Sequence, residues 1–168
     1  MASIVYQIDK KTGAKYAFES VSYWDKDKKQ PRSKRKYLGK VDPETGEILP
    51  DEVYWSFDDA TGTLYIEADP DADEAVVADY LNGVQPWILY AEDITRLVVG
   101  EGINHLGTAF MASHYPNLRE VQLPESLGEI GSHAFNGCTG LKQIDLPENL
   151  YYIMFQSFAN TGLTSLEL

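Results

Sequence analysis

The sequence predicts a mostly β fold with short helices, in two parts. A small three-stranded antiparallel β module occupies residues 1–50, and a short, capped solenoid of repeats occupies 51–168. Three observations carry this reading. One apolar phrase recurs from Ile94 onward, β-branched and aromatic residues alternate in the first 50 positions, and the charge changes sign between the two parts.

The phrase is Leu118-x-x-Val121-x-Leu123-Pro124-x-x-Leu127-x-x-Ile130, followed by Leu141-x-x-Ile144-x-Leu146-Pro147-x-x-Leu150-x-x-Ile153. Ile94-x-x-Leu97-x-Val99 precedes them, and Leu163-x-x-Leu166-x-Leu168 opens another copy. Starts at 94, 118, 141 and 163 lie 24, 23 and 22 residues apart. A period of this size marks units that bury their apolar faces only against their neighbours. Each copy offers a short strand (Glu120–Leu123, then Gln143–Leu146), a proline that ends it, and a return segment whose Phe135 or Phe158 points into the stack.

Residues 123–141, with Ile130-Gly131-x-x-Ala134-Phe135-x-x-Cys138-x-x-Leu141, resemble the BspA-type leucine-rich repeat. In the next copy Met154 stands for the Gly, Ser157 for the Ala and Asn160 for the Cys. In the preceding one either Phe110 or Met111 fills the Phe pocket. The resemblance implies a leucine-rich-repeat solenoid used as a binding surface, not a particular partner.

Before the repeats, Val53–Phe57 and Thr63–Ile66 read as a hairpin around Asp58-Asp59-Ala60-Thr61-Gly62. The run Trp55-Ser56-Phe57-Asp58-Asp59-x-x-Gly62-Thr63-Leu64-Tyr65-Ile66 is similar to segments that precede such repeats. Residues 51–93 are therefore a cap that covers the first coil. Asp73–Leu81, ending at Asn82-Gly83, is expected to be a short helix with acids in its first turn.

In the N-terminal part, Ser3–Asp9, Lys15–Trp24 and Arg32–Val41 read as three strands, with a turn at Lys10-Lys11-Thr12-Gly13. Met1–Pro50 holds 11 Lys+Arg against 7 Asp+Glu, net +4, and Asp51–Leu168 holds 3 against 19, net −16. The boundary falls in the turn-rich stretch Asp42–Glu47. Lys26, Lys28, Lys29, Arg32, Lys34, Arg35 and Lys36, flanked by Trp24 and Tyr37, form a candidate nucleic-acid-binding cluster, since cations neutralise phosphates and a narrow sheet can enter a major groove. Tyr23–Lys36 together with Leu38–Pro50 resembles the N-terminus of bacterial insertion-sequence transposases. That likeness implies a DNA-contacting module shared with mobile elements, while the transposase nuclease core has no counterpart here.

Other chemistry is excluded on motif grounds. Asp69-Pro70-Asp71-Ala72-Asp73-Glu74 departs from the calcium loop, with Glu74 at its sixth position and Tyr80 at its twelfth. His105, His114 and His133 lack zinc spacing. No nucleophile, phosphate-loop or paired-carboxylate motif appears, so no enzyme, cofactor or metal is expected. A single cysteine, Cys138, no signal peptide and no membrane-length apolar run predict a cytoplasmic protein with no membrane contact.

These features predict a non-catalytic recognition protein from a bacterial or phage mobile element. Its acidic repeats would engage a protein partner with a basic surface. A sharper form is an inhibitor of a host nucleic-acid-targeting nuclease, such as a CRISPR nuclease. The alternative is a DNA-binding regulator or an accessory protein of transposition, contacting DNA or RNA through residues 1–50. Leu163, Leu166 and Leu168 line an open last strand, so homodimerisation is expected there or through the N-terminal sheet.

Overall fold

A computed structural model describes residues 2–8, 13–26, 29–41, 43–46, 48–49, 52–70, 72, 75–77, 85–108, 110 and 115–166. The strands in chain order are β1 (Ala2–Ile8), β2 (Lys15–Asp25), β3 (Gln30–Val41), β4 (Ile48–Leu49), β5 (Val53–Asp58) and β6 (Thr63–Ala68). They continue as β7 (Ala75–Val77), β8 (Arg96–Val99), β9 (Ile103–Leu106), β10 (Glu120–Gln122), β11 (Glu129–Ile130) and β12 (Tyr152–Ile153). Among the described residues there is one short 3-10 helix, Ile88–Tyr90, and no α-helix. No helix there is long and apolar enough to cross a membrane.

Two sheets share one core. The larger runs β1-β2-β3-β5-β6-β8-β10, with β4 beside β3; the smaller runs β12-β11-β9-β7. From β1 to β6 the main ladder is antiparallel, built by three alternating strands and the expected hairpin. At β6 it changes direction, because β6 pairs parallel with β8 and β8 with β10. Strand β6 therefore serves twice, as the second arm of a hairpin and as the first rung of the solenoid.

The cap differs from expectation at one element. Residues 75–77 form strand β7, parallel to β9, rather than part of a helix; the other residues of the expected helix (73–74 and 78–83) lie outside the described residues. Ala75 and Val77 are buried while Val76 is exposed, the period-2 pattern of a strand. The acidic first turn suggested a helix, but Val76-Val77 is β-branched, and pairing with β9 closes the return sheet. The cap is thus a coil of the solenoid itself.

Gln143–Leu146, expected as a strand, makes no ladder with β10. Arg119 and Lys142 occupy equivalent positions of these adjacent coils. An open groove of about 440 Å³ lies there instead. Residues 163–166 likewise form no strand.

An aromatic column runs through the core. Trp87 stacks on Phe110 (5.9 Å between ring centres), Phe110 on Phe135 (6.0 Å) and Phe135 on Phe158 (5.5 Å). Phe110 therefore fills the pocket, and Trp87 extends the same column into the cap. It continues past the expected boundary near 42–47: Trp55 meets Trp87 edge-on, Tyr37 stacks on Trp55, and Phe18 packs against both Tyr37 and Trp55. Each such pair adds about 0.5–1.5 kcal/mol beyond its burial.

The return segments repeat in backbone conformation as well. His133 (φ 57) matches Gln156 (φ 54), and Gly137 (φ 79) matches Asn160 (φ 56). The counterpart of Cys138 is accordingly Thr161, not Asn160: both N–H groups donate three residues back, to Phe135 and Phe158 carbonyls. Asn suits the left-handed position that glycine holds in the preceding coil. Gly131 is required by close approach, since a Cβ there would lie 3.0 Å from Gly107 Cα.

Candidate recognition surface

One face of the large sheet is sealed by the core and the other is open. Strand register places Ile4, Glu19, Lys36, Ser56, Tyr65, Val98 and Gln122 in one row across seven strands. At about 4.8 Å per strand this row is roughly 29 Å wide. Beside it runs Val21, Lys34, Asp58, Thr63, Arg96 and Glu120. Alternation puts Trp55, Leu64, Ile66 and Leu97 on the core side and these rows on the other, where Thr63 alone among them is buried.

Opposite charges pair across that face. Lys34 Nζ donates to Asp58 Oδ2 at 2.6 Å, and this bond holds the lysine above its ordinary pKa. Arg32 Nη1 lies 3.5 Å from Asp59 Oδ2, and the Tyr23 hydroxyl donates to Asp59 Oδ1 at 2.8 Å. Arg96 Nε is 3.7 Å from Glu120 Oε2, and its Nη2 donates to Gln122 Oε1 at 3.4 Å. Between these pairs the half-buried Tyr65 and Val98 form an apolar centre.

The seven cations expected to bind nucleic acid are therefore divided. Lys34 and Lys36 share the open face, Arg35 lies on the opposite side of β3 with its Nε buried, and Lys26 and Lys29 flank the β2–β3 turn. Arg32 and Lys34 are engaged by Asp59 and Asp58. Lys28 lies outside the described residues. Those aspartates had a turn role in the sequence reading; their second role depends on β3 pairing with β5.

Much of the acidity in 51–168 is placed on turns rather than on this face. Glu101 accepts from the backbone N–H groups of Glu125 (3.0 Å) and Ser126 (3.1 Å) in the next coil. Glu125 repeats the contact, accepting from the Glu148 N–H at 3.3 Å. A glutamate recurring at the coil period, Glu101 after Gly100, Glu125 after Pro124 and Glu148 after Pro147, was the available signal. The three cations of 51–168, Arg96, Arg119 and Lys142, all line the open groove, together with Glu120 and Asp145.

The remaining candidates are structural. Cys138 is buried, its Sγ donates to the Phe110 carbonyl, and burial pushes the thiol up to about 12. His105 Nδ1 lies 3.1 Å from Glu129 Oε2, and the Tyr151 hydroxyl donates to the other Glu129 oxygen. His133 meets the edge of Phe155; His114 lies outside the described residues. Among the described residues no group of three or more His, Cys, Asp or Glu is placed to hold a metal. Leu163 is half-buried, Leu166 is exposed, and Leu168 lies outside the described residues.

Residues 90–168 match the BspA type leucine rich repeat region, in 6 copies. A solved leucine-rich repeat protein from Eubacterium ventriosum ATCC 27560 is similar in fold, with a TM-score of 0.51 and 19% identity over 67% of this chain. The likeness spans 28% of that protein's length. No curated protein matches the sequence.

Proposed function

We propose that this protein is a non-catalytic recognition module that binds a protein partner through the open face of its large sheet. The observation that supports this most is the row from Glu19 to Gln122, which joins the N-terminal strands and the repeats into one surface. An apolar Tyr65–Val98 centre with a polar and paired-charge rim matches the anatomy of a protein interface. With Lys34–Asp58 and Arg96–Glu120 pre-paired, the face favours a partner of mixed polarity over a uniformly basic one.

The test is capture of partners by the full-length protein from a nuclease-treated bacterial lysate, followed by direct binding with the identified partner. Tyr65→Ala with Val98→Ala is expected to weaken binding by about 10-fold or more, since central anchors carry most interface energy. Unchanged binding by that variant would move the site off this face. A captured nuclease would support the inhibitor reading.

The nucleic-acid reading has its own arm. Asp58→Asn with Asp59→Asn removes the carboxylate charges beside Lys34 and Arg32, so a phosphate-binding β3 should gain DNA affinity and steepen its logarithmic salt dependence by about two. A variant that binds DNA no better than the natural protein rules that role out for β3.

A further inference from the structure

We infer that β1 is a docking edge for a second copy of this chain, joining two large sheets into one across a two-fold axis. Strand β1 is the outer strand of the sheet and pairs with β2 over all seven of its residues, from Ala2↔Val21 to Ile8↔Lys15, without a bulge. Among the described residues no strand pairs with its other side. Proteins guard such edges with charge, proline, bulges or short length. Ala2-Ser3-Ile4-Val5-Tyr6-Gln7-Ile8 contains neither a charge nor a proline. At the opposite end of the sheet the groove beside β10 is lined by charged side chains, among them Arg119 and Lys142, whereas β1 carries none.

Side chains on β1 add an apolar stripe. Ile4, Tyr6 and Ile8 are 55%, 53% and 62% exposed on alternate positions. Lys15 Nζ lies over the Tyr6 ring at 4.1 Å.

The occupant is argued from symmetry in the strand itself. An antiparallel partner centred on Val5 sets Val5 against the partner's Val5, Ile4 against the partner's Tyr6, and Ser3 against the partner's Gln7. Ala2 then meets the partner's Ile8. Every pair matches in polarity, as an isologous contact requires. Repulsion is also least here, because the chain carries −12 overall while the β1 strand is uncharged. Seven paired residues span about 24 Å, a small seam, so association is expected in the weak range of such contacts.

The experiment is sedimentation of the full-length protein from low micromolar to millimolar concentration, beside Ile4→Lys with Ile8→Lys. Both side chains are over half exposed, so the variant should keep its melting temperature while losing the dimer. The natural protein is expected to reach twice 18.9 kDa and the variant to remain at 18.9 kDa. A second variant, Ile4→Cys with Tyr6→Cys, reports the register: oxidation should link two chains, and buried Cys138 does not compete. A natural protein of 18.9 kDa at every concentration overturns the proposal. So does a dimer that survives the lysines or fails to cross-link.

Discussion

At the scale of single residues, polar side chains here mostly serve backbone and neighbouring charge. Glu101 and Glu125 each satisfy amides of the next coil, so their charge is a staple between repeats. Sequence counting assigned this acidity to a partner, because a carboxylate bonded to amides and one facing solvent look the same in composition. Cys138 illustrates a different case, a small repeat position that is simply buried. Its raised pKa gives a pH prediction. Unfolding releases a thiol with an ordinary value near 9.0, so its stabilising contribution is full below about pH 9 and declines as pH rises toward 12. The decline is at most about 1.4 kcal/mol per pH unit. In denaturant unfolding across that window the natural protein should lose stability more steeply than Cys138→Ala, so that the gap between them changes with pH; parallel curves would assign the loss to other groups.

Individual elements are held by rings and close backbone approach. The Trp87–Phe110–Phe135–Phe158 column buries one aromatic per coil, and Phe135 sits between two stacked neighbours. Phe135→Ala is expected to cost about 3–5 kcal/mol, read from the urea midpoint. A loss below about 1 kcal/mol would mean that the coils are not packed through this column. The repeat period located Phe135 and Phe158 from the sequence, because each fell at a fixed distance from its strand. Trp87 was less legible, since the cap coil is longer: Thr63 pairs with Arg96, 33 positions on, and Arg96 with Glu120, 24 on. The same irregular spacing hid β7, whose partner β9 lies 28 residues away at Ala75↔Ile103.

For the whole molecule, the continuous sheet and shared core tie residues 1–50 to the repeats. Phe18 and Tyr37 pack on Trp55, which in turn meets Trp87. Residues 51–168 alone are therefore expected to lose roughly 3 kcal/mol or more from uncovered aromatic surface, with Trp55 emission shifted to the red. A fragment as stable as the full chain, with unshifted emission, would mark the first 50 residues as an independent unit.

What the sequence by itself determined is the alternating strands and the period of the coils, while the expected helix at 73–81 and the strands at 143–146 and 163–166 show that local pattern alone did not decide every element. Strands β1, β2, β3, β5 and β6 follow from alternation, and the coils follow from a repeated apolar phrase, because each pattern records which side of the chain meets the core. Only the tertiary structure decided how these pieces share surfaces. The pairing of β3 with β5 brings Arg32 and Lys34 to Asp59 and Asp58, residues 27 and 24 positions apart, and turns a basic stretch into a charge-balanced face. Sequence fixes the sign of each charge, but its partner is set by strand register between distant segments, and register is a property of the folded sheet.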